Sequence, residues 1–171
     1  GGGGGGIWME NSSPVTFKHV TITDNLAIGQ PGGGITFSNT YGNDSDSLNI
    51  VNSIIWNNQA DWGWDFGWQE IRIPFSNHVT ISYSDIGDNE IVWDSEQNIS
   101  MDPLFVSPEN NNFTLQEGSP CIDTGIADLD GDGIDDITNY IGAAPDMGAF
   151  EWDSSSETQP GDVNADGNLD V

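Results

Sequence analysis

Residues 15–25 read VTFKHVTITDN, and the chain returns to that pattern twice, as LNIVNSIIWNN over 48–58 and as VTISYSDIGDN over 79–89. The three stretches align without gaps at spacings of 33 and 31 residues. In this register Val15, Leu48 and Val79 coincide, as do Phe17, Ile50 and Ile81, and Ile22, Ile55 and Ile86. Each unit closes on an asparagine, Asn25, Asn58 or Asn89. A second echo, Gly4-Gly5-Gly6-Ile7 and Gly32-Gly33-Gly34-Ile35, recurs after 28 residues. Apolar residues at i and i+2 point to one side of an extended chain, and Gly and Asn supply the bends between short strands. Near-constant repeat length then predicts that like residues stack about 4.8 Å apart between successive windings. An Asn at each bend would bond its own turn and the Asn above it. A parallel β-helix meets these conditions. A β-sandwich has similar strands but does not predict position-by-position identity between units.

Composition agrees with an all-β reading. Glycine is 22 of 171 residues, long helix formers are scarce, and no stretch holds a 3.6-residue apolar period beyond about two turns. With 35% hydrophobic residues and seven Trp, the chain has the material for a packed core and is not an acidic disordered tail. Two Lys/Arg stand against 28 Asp/Glu, a net charge of −26. Such a surface repels nucleic-acid phosphates and anionic lipid, and it disfavours polyanionic glycans unless cations intervene. There is no run of 18 apolar residues that could span a membrane. The lone Cys121 permits no internal disulfide and reads as a small buried apolar residue.

The repeated units resemble the right-handed parallel β-helix repeats of the pectin-lyase-like superfamily, over about residues 1–100. A further resemblance lies in Asp102-Pro103-Leu104-Phe105-Val106, Asn112-Phe113-Thr114-Leu115, Gly118-Ser119-Pro120-Cys121-Ile122-Asp123-Thr124-Gly125 and Pro145-Asp146-Met147-Gly148-Ala149-Phe150-Glu151. This succession is similar to the closing segment of secreted bacterial β-helix proteins, where the last coils meet a terminal cap. It implies about three coils over 1–100, a closing segment over 101–152, a polar linker over 153–160 and a further motif over 161–171. It also implies an extracellular, bacterial setting. The Gly-rich opening falls in mid-repeat, so the expectation is a C-terminal piece of a larger protein with one coil face uncovered and marginal stability on its own.

Two acidic stretches carry calcium-ligand spacing. In 161–171, Asp162, Asn164, Asp166 and Asp170 offer oxygens at alternate positions, Gly167 permits the sharp turn and Asn168 offers its carbonyl. With Pro160-Gly161 before it, this loop resembles the first of the two loops of a type I dockerin, a module that docks cohesins. The twelfth-position acid and the following helix are not in the sequence, so the resemblance implies a truncated dockerin and a disordered tail, with cohesin as partner only for the complete module. The second stretch, Asp128-Leu129-Asp130-Gly131-Asp132-Gly133-Ile134-Asp135-Asp136, resembles thrombospondin type 3 calcium loops. Asp128, Asp130, Asp132 and Asp136 are the expected ligands of a structural Ca2+, the other reading being a solvated acidic loop. Five carboxylates within nine residues repel one another unless a cation or water separates them.

In Asp61-Trp62-Gly63-Trp64-Asp65-Phe66-Gly67-Trp68, the four aromatics Trp62, Trp64, Phe66 and Trp68 alternate with small or polar residues. Extended chain would put them on one face, where they could stack on the sugars of a polysaccharide or cell-surface glycan; the other reading is that they cover a hydrophobic flank of the coil or pack together within the loop. No catalytic residues stand out. A lyase on a related fold needs an Arg or Lys base, and only Lys18 and Arg72 are present, in different units. A carboxylate pair for glycoside hydrolysis is uninformative among 28 acids, Asp24, Asp85 and Asp88 at unit ends included. His19 aligns with Asn52 and Tyr83, which places it in a surface or turn stack and not in a triad, and His78 has no matching partner. The functional expectation is a non-catalytic, calcium-stabilised module of an extracellular carbohydrate-active or adhesive protein. The alternative is part of a polysaccharide-degrading enzyme, a lyase or glycoside hydrolase, whose active site lies upstream.

Overall fold

The structure, a computed structural model, describes residues 5–10, 14–29, 32–38, 47–61, 70–73, 78–87 and 97–154. Within them the protein is all-β: no α-helix occurs, and a three-ten turn spans Pro108–Asn110. Eleven short strands precede residue 87: β1 (Ile7–Glu10), β2 (Val15–Lys18), β3 (Thr21–Thr23), β4 (Leu26–Ile28), β5 (Ile35–Ser38), β6 (Ser47–Val51), β7 (Ile54–Trp56), β8 (Gln59–Asp61), β9 (Ile71–Arg72), β10 (His78–Ser82) and β11 (Asp85–Ile86).

They pair only in parallel, and always with the strand four places along. The sheets run β1-β5-β9, β2-β6-β10, β3-β7-β11 and β4-β8. Each sheet thus takes one strand from each successive stretch of chain, an arrangement compatible with a β-helix-like winding. The register is the one the repeats predict. Val15 faces Leu48, which faces Val79; Phe17 faces Ile50, which faces Ile81. Ile22, Ile55 and Ile86 form a further column, and Ile7 meets Ile35.

Alternation decides which residues go inside. Ile35, Phe37, Leu48, Ile50, Ile55, Ile71 and Ile81 are all at most 1% exposed and form one apolar cluster. Their counterparts on the first strands, Ile7, Met9, Val15 and Phe17, are only partly buried, because no described strand lies beyond β1 and β2.

The corners are built from repeated left-handed residues. His19, Asn52 and Tyr83, one column, have φ of 49°, 50° and 48°, and Asp24 and Asn57 have 56° and 55° at the next corner. After glycine, Asn tolerates this conformation best, since its side chain can bond locally. One residue after the first corner, the Ser53 hydroxyl accepts from the Val20 N–H at 3.3 Å and the Ser84 hydroxyl from the Ser53 N–H at 3.1 Å. Asn98 continues the ladder by accepting from the Ser84 N–H at 3.0 Å.

The predicted asparagine stack is present between Asn25 and Asn58, whose amides bond at 2.9 Å. The next partner of Asn58 is the Glu70 carboxylate, which accepts from its Nδ2 at 2.6 Å; Asn89 lies outside the described residues. The glycine echo has a steric cause beside this stack. A Cβ on Gly34 would sit 2.5 Å from the Glu70 carbonyl and 3.0 Å from the Asn58 amide nitrogen.

After Ile99, which bridges in parallel to Asp85, repetition ends. β12 (Phe105–Ser107) and β13 (Asn112–Leu115) form an antiparallel pair, and most of the rest is irregular. This segment lies along the outside of the sheets. Phe105, Leu115, Cys121 and Met147 close over the outward-facing Ile54, with Trp56, Tyr83 and Trp152 at the margin.

Candidate functional site

What holds the closing segment to the sheets also shapes the site. Asn52 is fully buried at its left-handed corner. Its Oδ1 accepts from the Ile126 N–H at 2.9 Å and its Nδ2 donates to the Ile126 carbonyl at 2.8 Å, as a neighbouring strand would. The second Nδ2 proton points at His19 Nε2, 3.1 Å away, which makes that nitrogen an acceptor and the ring neutral. Burial likewise lowers the His19 pKa, against Glu151 and the carbonyls of Asp146 and Gly148, which favour the charged ring. His19 therefore belongs to a corner stack, as its alignment with Asn52 predicts. Gly125, which donates to the Pro145 carbonyl at 2.8 Å, packs so tightly that a Cβ there would lie 2.9 Å from Asn52 Oδ1.

The acidic loop starts two residues beyond Ile126. Asp128, Asp130 and Asp136 each bring a carboxylate oxygen within 4.8 Å of the others. Asp128 is positioned by the glycines: its two oxygens accept from Gly131 and Gly133 N–H, both at 2.8 Å, and these glycines have φ of 75° and 88°. Those bonds, Gly133 foremost, hold the Asp128 carboxyl below the usual range. Asp136 Oδ2 accepts from the Leu129 N–H at 2.9 Å, closing the loop. Asp132 is not in the convergent group; its carboxylate accepts from the Ile134 N–H at 2.8 Å. Three hard oxygen donors on a turning backbone have the chemistry of a Ca2+ site, to which carbonyls and water would add the remaining ligands. The second predicted loop, with Asp162, Asn164, Asp166 and Asp170, and the aromatic strip of Trp62, Trp64, Phe66 and Trp68 lie outside the described residues.

The loop forms one wall of a groove of about 820 Å3 whose floor is the outer face of β2, β6 and β10. Thr16, Asn49 and Thr80 lie in register across that floor. Lys18 and Ser82 extend it, and Leu129, Asp130 and Asp136 stand along the side with the Tyr83 ring. Lys18 thus points outward, as the alternation predicts, but into a groove. A smaller groove of about 530 Å3 on the other flank places Asp24, Asp102 and Glu109 around Trp56.

Sequence reasoning missed the most buried acid. Asp85 is 0% exposed, with Oδ1 accepting from the Met101 N–H at 3.1 Å and Oδ2 lying 3.3 Å from the Cys121 thiol. Loss of solvent pushes its pKa up to about 7 and raises that of Cys121 as well. A signal existed: Asp85 stands in the column of Thr21 and Ile54, the face that the closing segment covers. Asp146, 1% exposed, is a second such acid, accepting from the Asp123 N–H at 2.8 Å and the Trp152 N–H at 2.6 Å.

No protein-family model matches the chain, and neither the curated proteins nor the solved structures contain a match. No helix among the described residues is long and apolar enough to cross a membrane.

Proposed function

We propose that this chain is a non-catalytic, calcium-stabilised module, wound as a right-handed parallel β-helix, that holds a polysaccharide or cell-surface glycan as part of an extracellular bacterial protein. The observation that carries the glycan reading is the groove between the β2-β6-β10 face and the acidic loop. Its floor offers hydroxyl and amide groups at the ~4.8 Å spacing of stacked strands. Those groups can exchange hydrogen bonds with sugar hydroxyls, while Leu129 and Tyr83 suit the C–H faces of the rings. The parallel register of the strand columns and the recurring left-handed corners support the winding. Calcium at Asp128, Asp130 and Asp136 would stiffen the wall of the groove, and the pairing of Asn52 with Ile126 would pass that stiffness to the sheets. The dockerin-like sequence of 161–171 supports attachment to a larger assembly through cohesin.

The test is affinity electrophoresis against neutral polysaccharides (xylan, mannan, mixed-linkage β-glucan) and polygalacturonate, with added Ca2+ or with chelator. A neutral glycan should retard the protein in Ca2+, and Asn49→Ala or Asp130→Asn should weaken that retardation at least tenfold without unfolding the sheets. Calcium should also raise the melting temperature of the wild type and not of Asp130→Asn. Equal migration of wild type and Asn49→Ala on every glycan would remove the groove from consideration. Release of shortened chains from any of these polymers would replace the non-catalytic reading with the enzymatic one.

A further inference from the structure

We propose that Asp85 is a proton-operated latch: neutral, it holds the closing segment against the sheets, and ionised, it loosens that attachment. The geometry is that of an interface. Asp85 belongs to β11, where its backbone pairs with Ile54 of β7 and its N–H donates to the Ser53 carbonyl at 2.8 Å. Its side chain, in contrast, is held from beyond the sheets, by the Met101 N–H and the Cys121 thiol. Cys121 is itself fully buried, and its carbonyl accepts from the Met147 N–H at 2.9 Å. One carboxyl therefore joins the last described strand column to two separate stretches of the closing segment.

The surroundings favour the neutral acid. The elements packed on it contribute Ile54 from β7, Ile99 from the parallel bridge, and Cys121, none of which carries a positive charge. The charged group that acts on it is another acid, Asp102, while Asp146 acts on Cys121. A buried carboxylate balanced by one backbone N–H and one weak thiol donor is poorly solvated. A neutral carboxyl can keep the Met101 bond on Oδ1 and direct its own proton from Oδ2 to the sulfur.

Desolvation, partly offset by the Met101 and Cys121 bonds, sets the pKa at about 7. That exceeds the ordinary value in the open chain, about 3.9. The open state then holds fewer protons than the closed one between these values, so closure weakens as pH rises through the window. Between pH 5 and pH 8 the opening equilibrium constant should rise on the order of 50- to 100-fold from this group alone. This inference is independent of any glycan.

The experiment is native-state hydrogen exchange on the full chain in constant, saturating Ca2+, from pH 5 to 8.5, with rates corrected for intrinsic pH dependence. Amides of residues 99–101 and 121–123 should lose 50- to 100-fold protection in the wild type. Asp85→Asn, neutral at every pH, should show a flat profile. Parallel losses in both proteins would overturn the latch. Should the variant not fold, the Asp85 carboxyl 13C resonance of the wild type decides: a midpoint near 7 supports the proposal and one below 5 refutes it.

Discussion

The stacked strands and the closing segment solve the same problem by different chemistry. In the sheets, each short strand is marginal alone and gains its place from a like residue above and below, so Ile50 sits between Phe17 and Ile81. The closing segment has one antiparallel pair and four buried apolar side chains, Phe105, Leu115, Cys121 and Met147, packed on Ile54 of the sheets. Many of its other ties are carboxylates that accept backbone N–H groups. Asp123 takes Ala143 and Ala144, Asp146 takes Asp123 and Trp152, and Glu151 takes Ile141 and Asp146. The contrast shows where a chain of net charge −26 can place its acids usefully. Within the paired strands most backbone N–H groups are already taken, whereas an irregular segment leaves many N–H groups that need an acceptor.

The largest effect should come from breaking a column. Ile50 is fully buried between two apolar neighbours, and Ile50→Ala should cost about 3–4 kcal/mol of unfolding free energy, measured by urea titration. Because the sheets support everything else, all regions should unfold together in that variant. Loss confined to the closing segment would show that the columns are not what the rest depends on.

A smaller effect, in the other region, should follow from Asn52. Removing its side chain strands the Ile126 N–H and carbonyl, at about 2 kcal/mol. Asn52→Ala should be worse than Asn52→Gly by about 1 kcal/mol, because only glycine accepts the left-handed corner without strain. Hydrogen exchange should quicken over 123–128 while Ile50 and Ile81 stay protected. Uniform loss of protection would erase the distinction between the two regions.

That distinction also explains what could be read from the sequence. The register of Val15, Leu48 and Val79 was legible because stacking demands similarity at fixed spacing, and the Asn25–Asn58 stack because its bond joins two copies of one position. Glu70 next to Asn58 was not legible: it falls between the repeated units and reaches the stack only through the path of the chain. Asp85 was harder to read for a related reason, the apolar Ile54 in its column being the hint. Its column faces outward, and only the folded closing segment turns that outward face into an interior. Within the acidic loop, alternation alone put Asp128, Asp130, Asp132 and Asp136 on equal terms. The turn conformations of Gly131 and Gly133 separate Asp132 from the three that converge.

The smallest expected effect comes from that loop, and its sign opposes that of Asp85. The Asp128 carboxyl is held below its ordinary value chiefly by the Gly133 N–H, with help from Gly131. An acid whose folded pKa lies below its unfolded one contributes stability that is complete above about pH 4 and disappears as pH falls through the folded value. The loop is exposed, so salt and water screen the effect, and it should show only locally. In chelator, the amides of Gly131 and Gly133 should lose protection below pH 4 in the wild type, while Ile50 and Ile81 do not respond. Asp128→Asn should exchange at those glycines without that acid step. Ca2+ should carry the step to lower pH, since a cation among Asp128, Asp130 and Asp136 competes with the proton for the same oxygens. A fall below about pH 4 would then release the loop, and a rise from about pH 4 to 7 the Asp85 contact, leaving the closing segment most firmly seated near the junction of the two while the apolar columns respond to neither.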